Sequence, residues 1–155
     1  MAEFVYIEPD IAPTSHYVII EMDEGCEDLF PKKSRPSDAC YDLKSKEDVE
    51  IPAKGFVRVQ TGVHMEFPSH YEVIVRGRSG MANKGIYTHV GTVDCTYTGD
   101  VSVILYNFTN EIYKIKRGDR IAQFQVQWNP GVELIEGKVT TNEERGDKGF
   151  GSSGR

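Results

Sequence analysis

The stretch VGTVDCTYTGDVSVILYN, residues 90–107, combines strong strand formers with one acidic side chain inside an apolar run. Asp94 stands between a valine and a cysteine, where a purely structural strand would carry another β-branched residue. Tyr97 follows just before the turn pair Gly99 and Asp100. We interpret these residues as a hairpin with a carboxylate and a rigid ring at its mouth, which would suit a small ligand pocket that contains a base.

Alternating apolar and polar residues recur along the chain, and this period predicts an all-β domain. The predicted strands are residues 17–22, 40–43, 49–51, 56–61, 64–67, 71–76, 101–108 and 120–128. Only residues 79–85 have a helical pattern, with Ser79 suited to the N-cap and Gly85 to the C-terminal end. Many short strands with close turn signals indicate a sandwich, a jelly roll or a barrel.

The strand predicted at residues 120–128 has the clearest alternation. One face carries only apolar side chains, and the other carries Gln123, Gln125 and Gln127. Antiparallel sheets commonly have one solvated face, so the glutamines fit an ordinary exposed surface. They also fit a polar channel, and the sequence leaves both interpretations open.

The chain has 155 residues and a formal net charge of −6, from 18 basic and 24 acidic side chains. This length predicts one domain with its own core, and the charge argues against a nucleic-acid partner, which favours a basic face. Apolar runs fall short of the roughly 20 residues that span a bilayer, and the acidic N-terminus is unlike a signal peptide. We expect an intracellular protein, cytoplasmic or nuclear, without a membrane partner. The scattered 3 cysteines and 4 histidines favour neither a disulfide framework nor a zinc site.

We divide the chain into a β domain, residues 1–139, and a glycine-rich tail, residues 140–155. Residues 1–38 include an N-terminal arm and a loop of no assigned role. The tail composition alone favours a frayed terminus. Its GFGSSG sequence matches G-x-G-x-x-G, but a dinucleotide fingerprint must follow a strand and open a helix, so we reject that interpretation. We also interpret the RGD sequence at residues 117–119 as a turn and give the NFT sequence at residues 107–109 no weight as a glycosylation site.

Separate polar clusters remain as candidates for chemistry. Arg78, Ser79 and Gly80 offer a guanidinium, a hydroxyl and an unhindered backbone at a helix start, which suits an anion, although a plain helix cap fits equally. The tail offers Arg145 with nearby serines as a second phosphate-friendly segment. Asp42, in a short apolar strand, suits magnesium held through water. Together these clusters suggest hydrolysis or transfer on a nucleotide.

In their order along the chain, the clusters resemble the five motifs of the trimeric dUTP pyrophosphatase (dUTPase) family. The matching segments are ACYDL at 39–43, GRSG at 77–80 with KGI at 84–86, residues 91–107, RGDRIAQ at 117–123, and residues 145–154. The resemblance implies a distorted jelly-roll or β-barrel subunit with one short helix, which assembles as a homotrimer with active sites between subunits. It also implies Mg²⁺-dependent hydrolysis of dUTP to dUMP and pyrophosphate, which limits uracil in DNA and supplies dUMP for dTMP synthesis.

The resemblance further implies roles for individual residues. Asp94 would activate the water that attacks the α-phosphate, and Tyr97 would pack on the deoxyribose. Backbone groups of the hairpin, at Thr92 and Val93, would hold uracil, and Asp42 would meet Mg²⁺ through water. The phosphates would be held by Arg78, Ser79, Gly80 and Gln123. The tail would close over the substrate with Arg145 on the γ-phosphate, Phe150 on uracil, and Gly151 and Ser152 nearby.

The sequence departs from the family pattern at Cys40, Gly77 and His89, none of which is assigned to the chemistry. Two rival functions remain open. The first is deamination of dCTP on the same fold, and the second is a derived binding or regulatory protein without turnover. An active enzyme with an additional protein partner is also compatible with the sequence.

Overall fold

The computed structural model describes residues 16–139, and its main elements are short β-strands. One helical turn, α1 (Ser79–Ala82), and one 3-10 turn (Glu27–Leu29) interrupt them. In chain order the strands are β1 (Ile19–Met22), β2 (Tyr41–Lys44), β3 (Val49–Ile51), β4 (Phe56–Val59), β5 (Val63–Glu66), β6 (Tyr71–Arg76), β7 (Ile86–Thr88), β8 (Gly91–Val93), β9 (Val103–Asn107), β10 (Tyr113–Ile115) and β11 (Arg120–Trp128).

The strands pair antiparallel, and most neighbours in a sheet are distant in sequence. The largest sheet has the order β2-β11-β6-β8, and a second sheet has the order β4-β9-β7. Two smaller pairs, β1-β5 and β3-β10, extend the framework. The all-β prediction with one short helix is therefore confirmed, and the crossovers between sheets are those of a jelly roll.

A single apolar cluster lies between the sheets. In β9, Val103 and Leu105 are buried while Ile104 and Tyr106, which alternate with them, are half-exposed, as the period of a strand requires. The other sheet contributes Val73, Val75 and Phe124 to the same cluster. Each such side chain, fully buried, stabilises the fold by about 1.5–3 kcal/mol. This core fixes the strands from which the polar site residues project.

The predicted hairpin in residues 90–107 is wrong. β8 pairs with β6, whereas β9 pairs with β4 and β7, so the two strands lie in different sheets. Residues 94–102 form a connection from one sheet to the other, in which the Tyr97 N–H donates to the Asp94 carbonyl at 2.9 Å. Each strand is instead paired with strands outside residues 90–107.

The helix prediction was right in place and wrong in detail. Arg78, not Ser79, occupies the N-cap position, and α1 begins at Ser79 without a side-chain cap. The helix ends at Ala82, and Gly85 then takes a left-handed conformation with φ +77°. That conformation turns the chain directly into β7, a strand that the sequence analysis missed.

A β-bulge near the start of β11 puts Ile121 and Ala122 side by side in the core. Beyond it, the glutamine face is half-buried. The Gln123 amide donates to the Gly77 carbonyl at 2.9 Å, and the Gln127 amide donates to Gln125 at 3.2 Å. This face is therefore neither fully exposed nor fully buried in the described part of the chain.

Two short motifs have structural roles. The sequence at residues 117–119 forms a turn, as predicted, with Gly118 at φ +90° and the Asp119 N–H bonded to the Lys116 carbonyl. Asn107 is 1% exposed, and its side chain bonds the carbonyls of Ile51 and Glu111. Burial of this amide rules out its use as a glycosylation acceptor in the folded protein. No helix within residues 16–139 is long and apolar enough to cross a membrane.

Candidate active site

Sheet register brings three of the predicted site residues together. Gln123 on β11 lies opposite Asp42 on one side and opposite Arg76 on the other. The chain leaves β6 at Arg76 and reaches Arg78 two residues later, at the start of α1. Asp42, Gln123 and Arg78 therefore lie on three neighbouring segments: β2, β11 and the connection that follows β6.

The Asp42 carboxylate is surrounded by positive charge. Its Oδ1 lies 3.1 Å from Arg78 Nε, and its Oδ2 lies 3.4 Å from Arg120 Nη1. The Ser34 hydroxyl also donates to Oδ2 at 3.1 Å. The Asp42 side chain is 13% exposed, whereas the Arg120 side chain is 50% exposed, and the two guanidinium groups share one carboxylate. Guanidinium groups at such a cavity suit a phosphate ligand.

Ser34, Asp42 and Arg78 line a polar cavity of about 390 Å³, whereas Arg120 lines a neighbouring cavity that Arg78 also contacts. The walls of the polar cavity include Asp42, Arg78, Ser79, Gly80 and Gln123, all of which were predicted as site residues, together with Ser34, Asp38, Ala39 and Cys40. α1 has only one turn, so anion binding here depends on the guanidinium and backbone groups more than on a helix dipole. Cys40, a departure from the family pattern, lies in this wall.

Arg120 is a site residue that the sequence analysis missed. Its guanidinium donates to the Ser34 hydroxyl at 3.0 Å, and its carbonyl accepts from Arg78 Nη1 at 2.8 Å. The signal was available, because Arg120 stands inside the RGDRIAQ sequence that carries the fourth motif.

The other predicted residues line a second cavity, of about 320 Å³. Its walls include Thr92, Val93, Asp94 and Tyr97, together with Arg58, His89 and Ser102. Asp94 and Tyr97 are both exposed. The Tyr97 hydroxyl donates to the Asp100 carbonyl at 2.9 Å, so the ring is fixed across its own turn.

Gly99 makes this position of the Tyr97 ring possible. A Cβ atom on Gly99 would lie 2.6 Å from the Tyr97 hydroxyl oxygen and 2.7 Å from the ring carbon that bears it. No side chain fits at those distances. The ring is therefore packed directly against backbone, which leaves its other side facing the cavity.

Asp100 anchors the loop that carries Asp94 and Tyr97, and the sequence analysis gave it no role. Its carboxylate accepts the Gly62 N–H at 2.6 Å and the Thr61 N–H at 3.4 Å. Gly62 has φ +72°, which turns its N–H toward the carboxylate. Turn residues such as Gly99 and Asp100 are common in any loop, so no local signal distinguishes this anchor.

The two cavities share no lining residue, so a single chain does not bring all the predicted site residues together. The phosphate-suited groups lie in one cavity, and Asp94 with Tyr97 lies in the other. Arg145, Phe150, Gly151 and Ser152 lie outside the described residues.

The residues around Asp42 fit a magnesium ion in one way only. Both carboxylate oxygens already face donors, which leaves no oxygen cage of the kind that binds a cation directly. Mg²⁺ keeps several waters and is commonly held by substrate phosphates plus one or two carboxylates. Asp42 therefore suits a contact through water to an ion that arrives with a polyphosphate.

Comparison with known proteins gives one consistent result. The protein-family model described as dUTPase matches residues 28–154. The deoxyuridine 5'-triphosphate nucleotidohydrolase of Anaplasma marginale is 38% identical over 141 residues, which cover 88% of this chain and 96% of that protein. The enzyme of the same name from Arabidopsis thaliana is 32% identical over 149 residues, which cover 96% of this chain and 89% of that protein.

Solved structures give the same fold. The dUTPase of Staphylococcus bacteriophage 80alpha, solved with dUPNHPP, has a TM-score of 0.79 and 25% identity. The match covers 91% of this chain and all 100% of that one. A family model across most of the sequence and relatives of this identity and coverage lead to one conclusion: the chain belongs to the dUTPase family.

Proposed function

We propose that the protein hydrolyses dUTP to dUMP and pyrophosphate. The observation that carries this proposal is the contact of two guanidinium groups, those of Arg78 and Arg120, with the Asp42 carboxylate beside the polar cavity. A polyphosphate would engage the same guanidinium groups. The family relationship narrows the ligand class to a deoxyuridine nucleotide. The reaction would limit uracil incorporation into DNA and supply dUMP for dTMP synthesis.

In this proposal Asp94 is the general base. Phosphoanhydride hydrolysis requires a water held in line with the α-phosphate, and a positioned base typically contributes about 10²–10⁴-fold. Asp94 is exposed at a cavity mouth, and its position is restricted by the turn it forms with Tyr97. Arg78, Ser79, Gly80 and Gln123 would hold the phosphates. Magnesium, held by those phosphates and by Asp42 through water, would neutralise part of their charge.

Selection of base and sugar would occur in the second cavity. Backbone groups at Thr92 and Val93 would hold uracil, because β8 fixes them beside β6. The Tyr97 ring would cover the deoxyribose and leave no room for a 2′-hydroxyl. His89 in the same wall departs from the family pattern, and it adds a polar edge near the uracil site.

We also propose that the active site is completed in a homotrimer. The separation of the two cavities within one chain supports this assembly. Residues 129–139 support it further, since Val132, Leu134, Ile135 and Val139 are between 77% and 93% exposed. Several exposed apolar side chains within one short segment indicate a surface that a partner covers. A second copy is the simplest partner for a segment that leaves its own subunit.

The remaining parts of the proposal concern the chain ends. Residues 140–155 would form a flexible tail that closes over the substrate, with Arg145 on the γ-phosphate and Phe150 stacked on uracil. Gly151 and Ser152 would add backbone and hydroxyl contacts. Residues 1–139 would form the barrel domain, with residues 1–38 as an arm and loop. The intracellular location and the absence of a nucleic-acid partner stay predictions.

The test is pyrophosphate release from a nucleotide panel with Mg²⁺. We expect turnover of dUTP and much slower turnover of dTTP, dCTP and UTP. Asp94→Asn should lower kcat by at least about 10²-fold with little change in dUTP affinity. Glu24→Gln, at an exposed acid outside both cavities, is the control. Full turnover by Asp94→Asn would overturn the assignment of the base.

Ammonia release from dCTP would indicate a deaminase, and tight dUTP binding without hydrolysis would indicate a binding protein.

A further inference from the structure

His64 on β5 bridges the loop of residues 94–102 to the end of the neighbouring strand β1. Its Nδ1 lies 2.9 Å from the Thr98 carbonyl oxygen, and its Nε2 lies 3.0 Å from Asp23 Oδ1. Thr98 directly follows Tyr97 in the loop, and Asp23 directly follows β1. One imidazole ring therefore connects the loop that carries the proposed base to a fixed turn.

Both partners of this ring are hydrogen-bond acceptors. A backbone carbonyl and an ionised carboxylate have no proton to donate, so each contact requires an N–H on the ring. A neutral imidazole has one N–H, and the second nitrogen would present a lone pair to an oxygen. Only the imidazolium, which has two N–H groups, satisfies both contacts.

We propose that the imidazolium of His64 is a positioning residue that holds the loop of Asp94 and Tyr97 in its active conformation. This inference rests on the proposed function, because it assigns that loop to the catalytic site. Asp100 anchors one end of the loop through the Gly62 N–H at 2.6 Å. His64 adds the second anchor, at Thr98.

The charges that face His64 favour its protonated form. Asp23 contacts the ring directly, Glu21 lies opposite it across the β1-β5 pair, and Asp100 lies nearby on the loop. The positive charge of Lys46 disfavours protonation of the ring, but its Nζ lies 2.8 Å from Asp23 Oδ2 and is paired with that carboxylate. On β5, Glu66 shares a small cavity with His64 and Thr98. The bonds to the Thr98 carbonyl and to Asp23 raise the pKa of His64 above its usual 6.5.

A metal ion is the alternative occupant of this cluster. One ligand atom each from Asp23, His64 and Asp100 lies within 4.8 Å of the others. However, the Lys46 ammonium already neutralises Asp23, and backbone N–H groups already occupy the Asp100 carboxylate. A cation would have to displace both. Proton-dependent anchoring requires no such change.

The sign of the pH effect follows from the raised pKa. Below about pH 6.5 the ring carries both protons, so both tethers of the loop are complete. As pH rises through the folded-state pKa, one N–H is lost and one tether opens. We therefore expect the loop to loosen, and kcat/KM to fall, across the titration of His64.

The direct test is an NMR titration of the His64 ring in the full chain, together with amide hydrogen exchange. Asp23→Asn should lower the His64 pKa, and His64→Gln should raise exchange rates of the amides of residues 95–99 by roughly tenfold at pH 6. Glu111→Gln, at an exposed acid outside the cluster around His64, is the control. A wild-type His64 pKa at or below 6.5 would overturn the proposal.

The pH dependence of kcat/KM distinguishes a positioning role of His64 from a purely structural one, because a structural role alone would not shift the alkaline decline. The wild-type profile of kcat/KM for dUTP should show an alkaline decline that moves to lower pH in Asp23→Asn and is absent in His64→Gln. An unchanged decline in His64→Gln would contradict the role of the ring. If dUTP is not turned over at all, the proposed function fails, while the NMR titration and the exchange rates still decide whether His64 anchors the loop.

Discussion

Arg120 Nη1 and Asp42 Oδ2 lie 3.4 Å apart, although 78 positions separate the two residues in the chain. With Arg78 on the other carboxylate oxygen, the arrangement holds two guanidinium groups close together in the absence of a polyanion. Mutual repulsion of the two groups would be relieved by a bound phosphate. Arg120 is therefore expected to contribute more to ligand binding than to folding.

We predict that Arg120→Gln raises KM for dUTP by roughly tenfold, because one charge-assisted bond to the phosphates is lost. The thermal unfolding midpoint should change little, since the Arg120 side chain is 50% exposed. Steady-state kinetics and calorimetry check both expectations. Lys114→Gln removes an equal charge from an exposed surface pair and should leave KM unchanged. A large loss of stability with an unaltered KM would make Arg120 a structural residue.

Gly99→Ala should weaken discrimination between dUTP and UTP. The added methyl group would meet the Tyr97 ring at 2.6–2.7 Å, so the ring must move away from its present position. A displaced ring would make room for a 2′-hydroxyl. The measurement is the ratio of kcat/KM for the two nucleotides, which should fall by about tenfold or more, the effect of about 1.4 kcal/mol in relative binding. Gly137→Ala, where the methyl group meets nothing within 4 Å, should keep the wild-type ratio.

Asn107→Ala should destabilise the fold by about 2–4 kcal/mol. The substitution leaves the Ile51 and Glu111 carbonyls without their amide donor and removes a fully buried side chain. Urea denaturation gives the free energy of unfolding directly. Asn110→Ala, at an exposed position three residues away, should change it by less than about 0.5 kcal/mol. A comparably small change at Asn107 would show that water replaces the amide.

The ion pair between Arg117 and Asp28 should give an acid-dependent contribution to stability. Two contacts, at 2.8 Å and 2.6 Å, lower the pKa of Asp28 below its usual 3.8. A lowered carboxyl pKa contributes stability above pH 3.8 that is lost as pH falls through the folded-state value. The difference in unfolding temperature between wild type and Arg117→Gln should therefore be constant near neutral pH and shrink below pH 4. It should also shrink in high salt, because the pair is exposed. A difference that persists at pH 2 would point to packing of the arginine instead.

Local pattern was sufficient to predict some elements with their bounds. β6 and β11 were predicted with their observed ends because alternation continues for six and nine residues. β7 and β10, of three residues each, were missed because so short a segment shows almost no period, although β3, of the same length, was predicted. The hairpin was wrong for a different reason, since the pairing of β8 and β9 depends on partners far away in the chain.

Some site residues could be recognised from the sequence alone, and others could not. Asp94 was recognisable from one acid in an apolar stretch, and Asp42 from one acid in a short strand. The contacts of Arg120 and His64 could not be predicted, because each joins segments that only the folded sheets bring together. A surface histidine without a local motif gives no signal by itself.

The bulge in β11 determines the spacing of the fourth motif. Because β11 carries an extra residue between Arg120 and Ala122, Gln123 lies opposite Asp42. In a regular ladder from the same starting pair, Ala122 would lie opposite Asp42, and Gln123 would face Tyr41. Deleting Ile121 would remove the bulge and, in a regular ladder, would still leave Gln123 opposite Asp42. The fold would lose a side chain that is fully buried in the core. The extra residue therefore lets two consecutive side chains, Ile121 and Ala122, enter the core without a change in the pairing of Gln123 with Asp42.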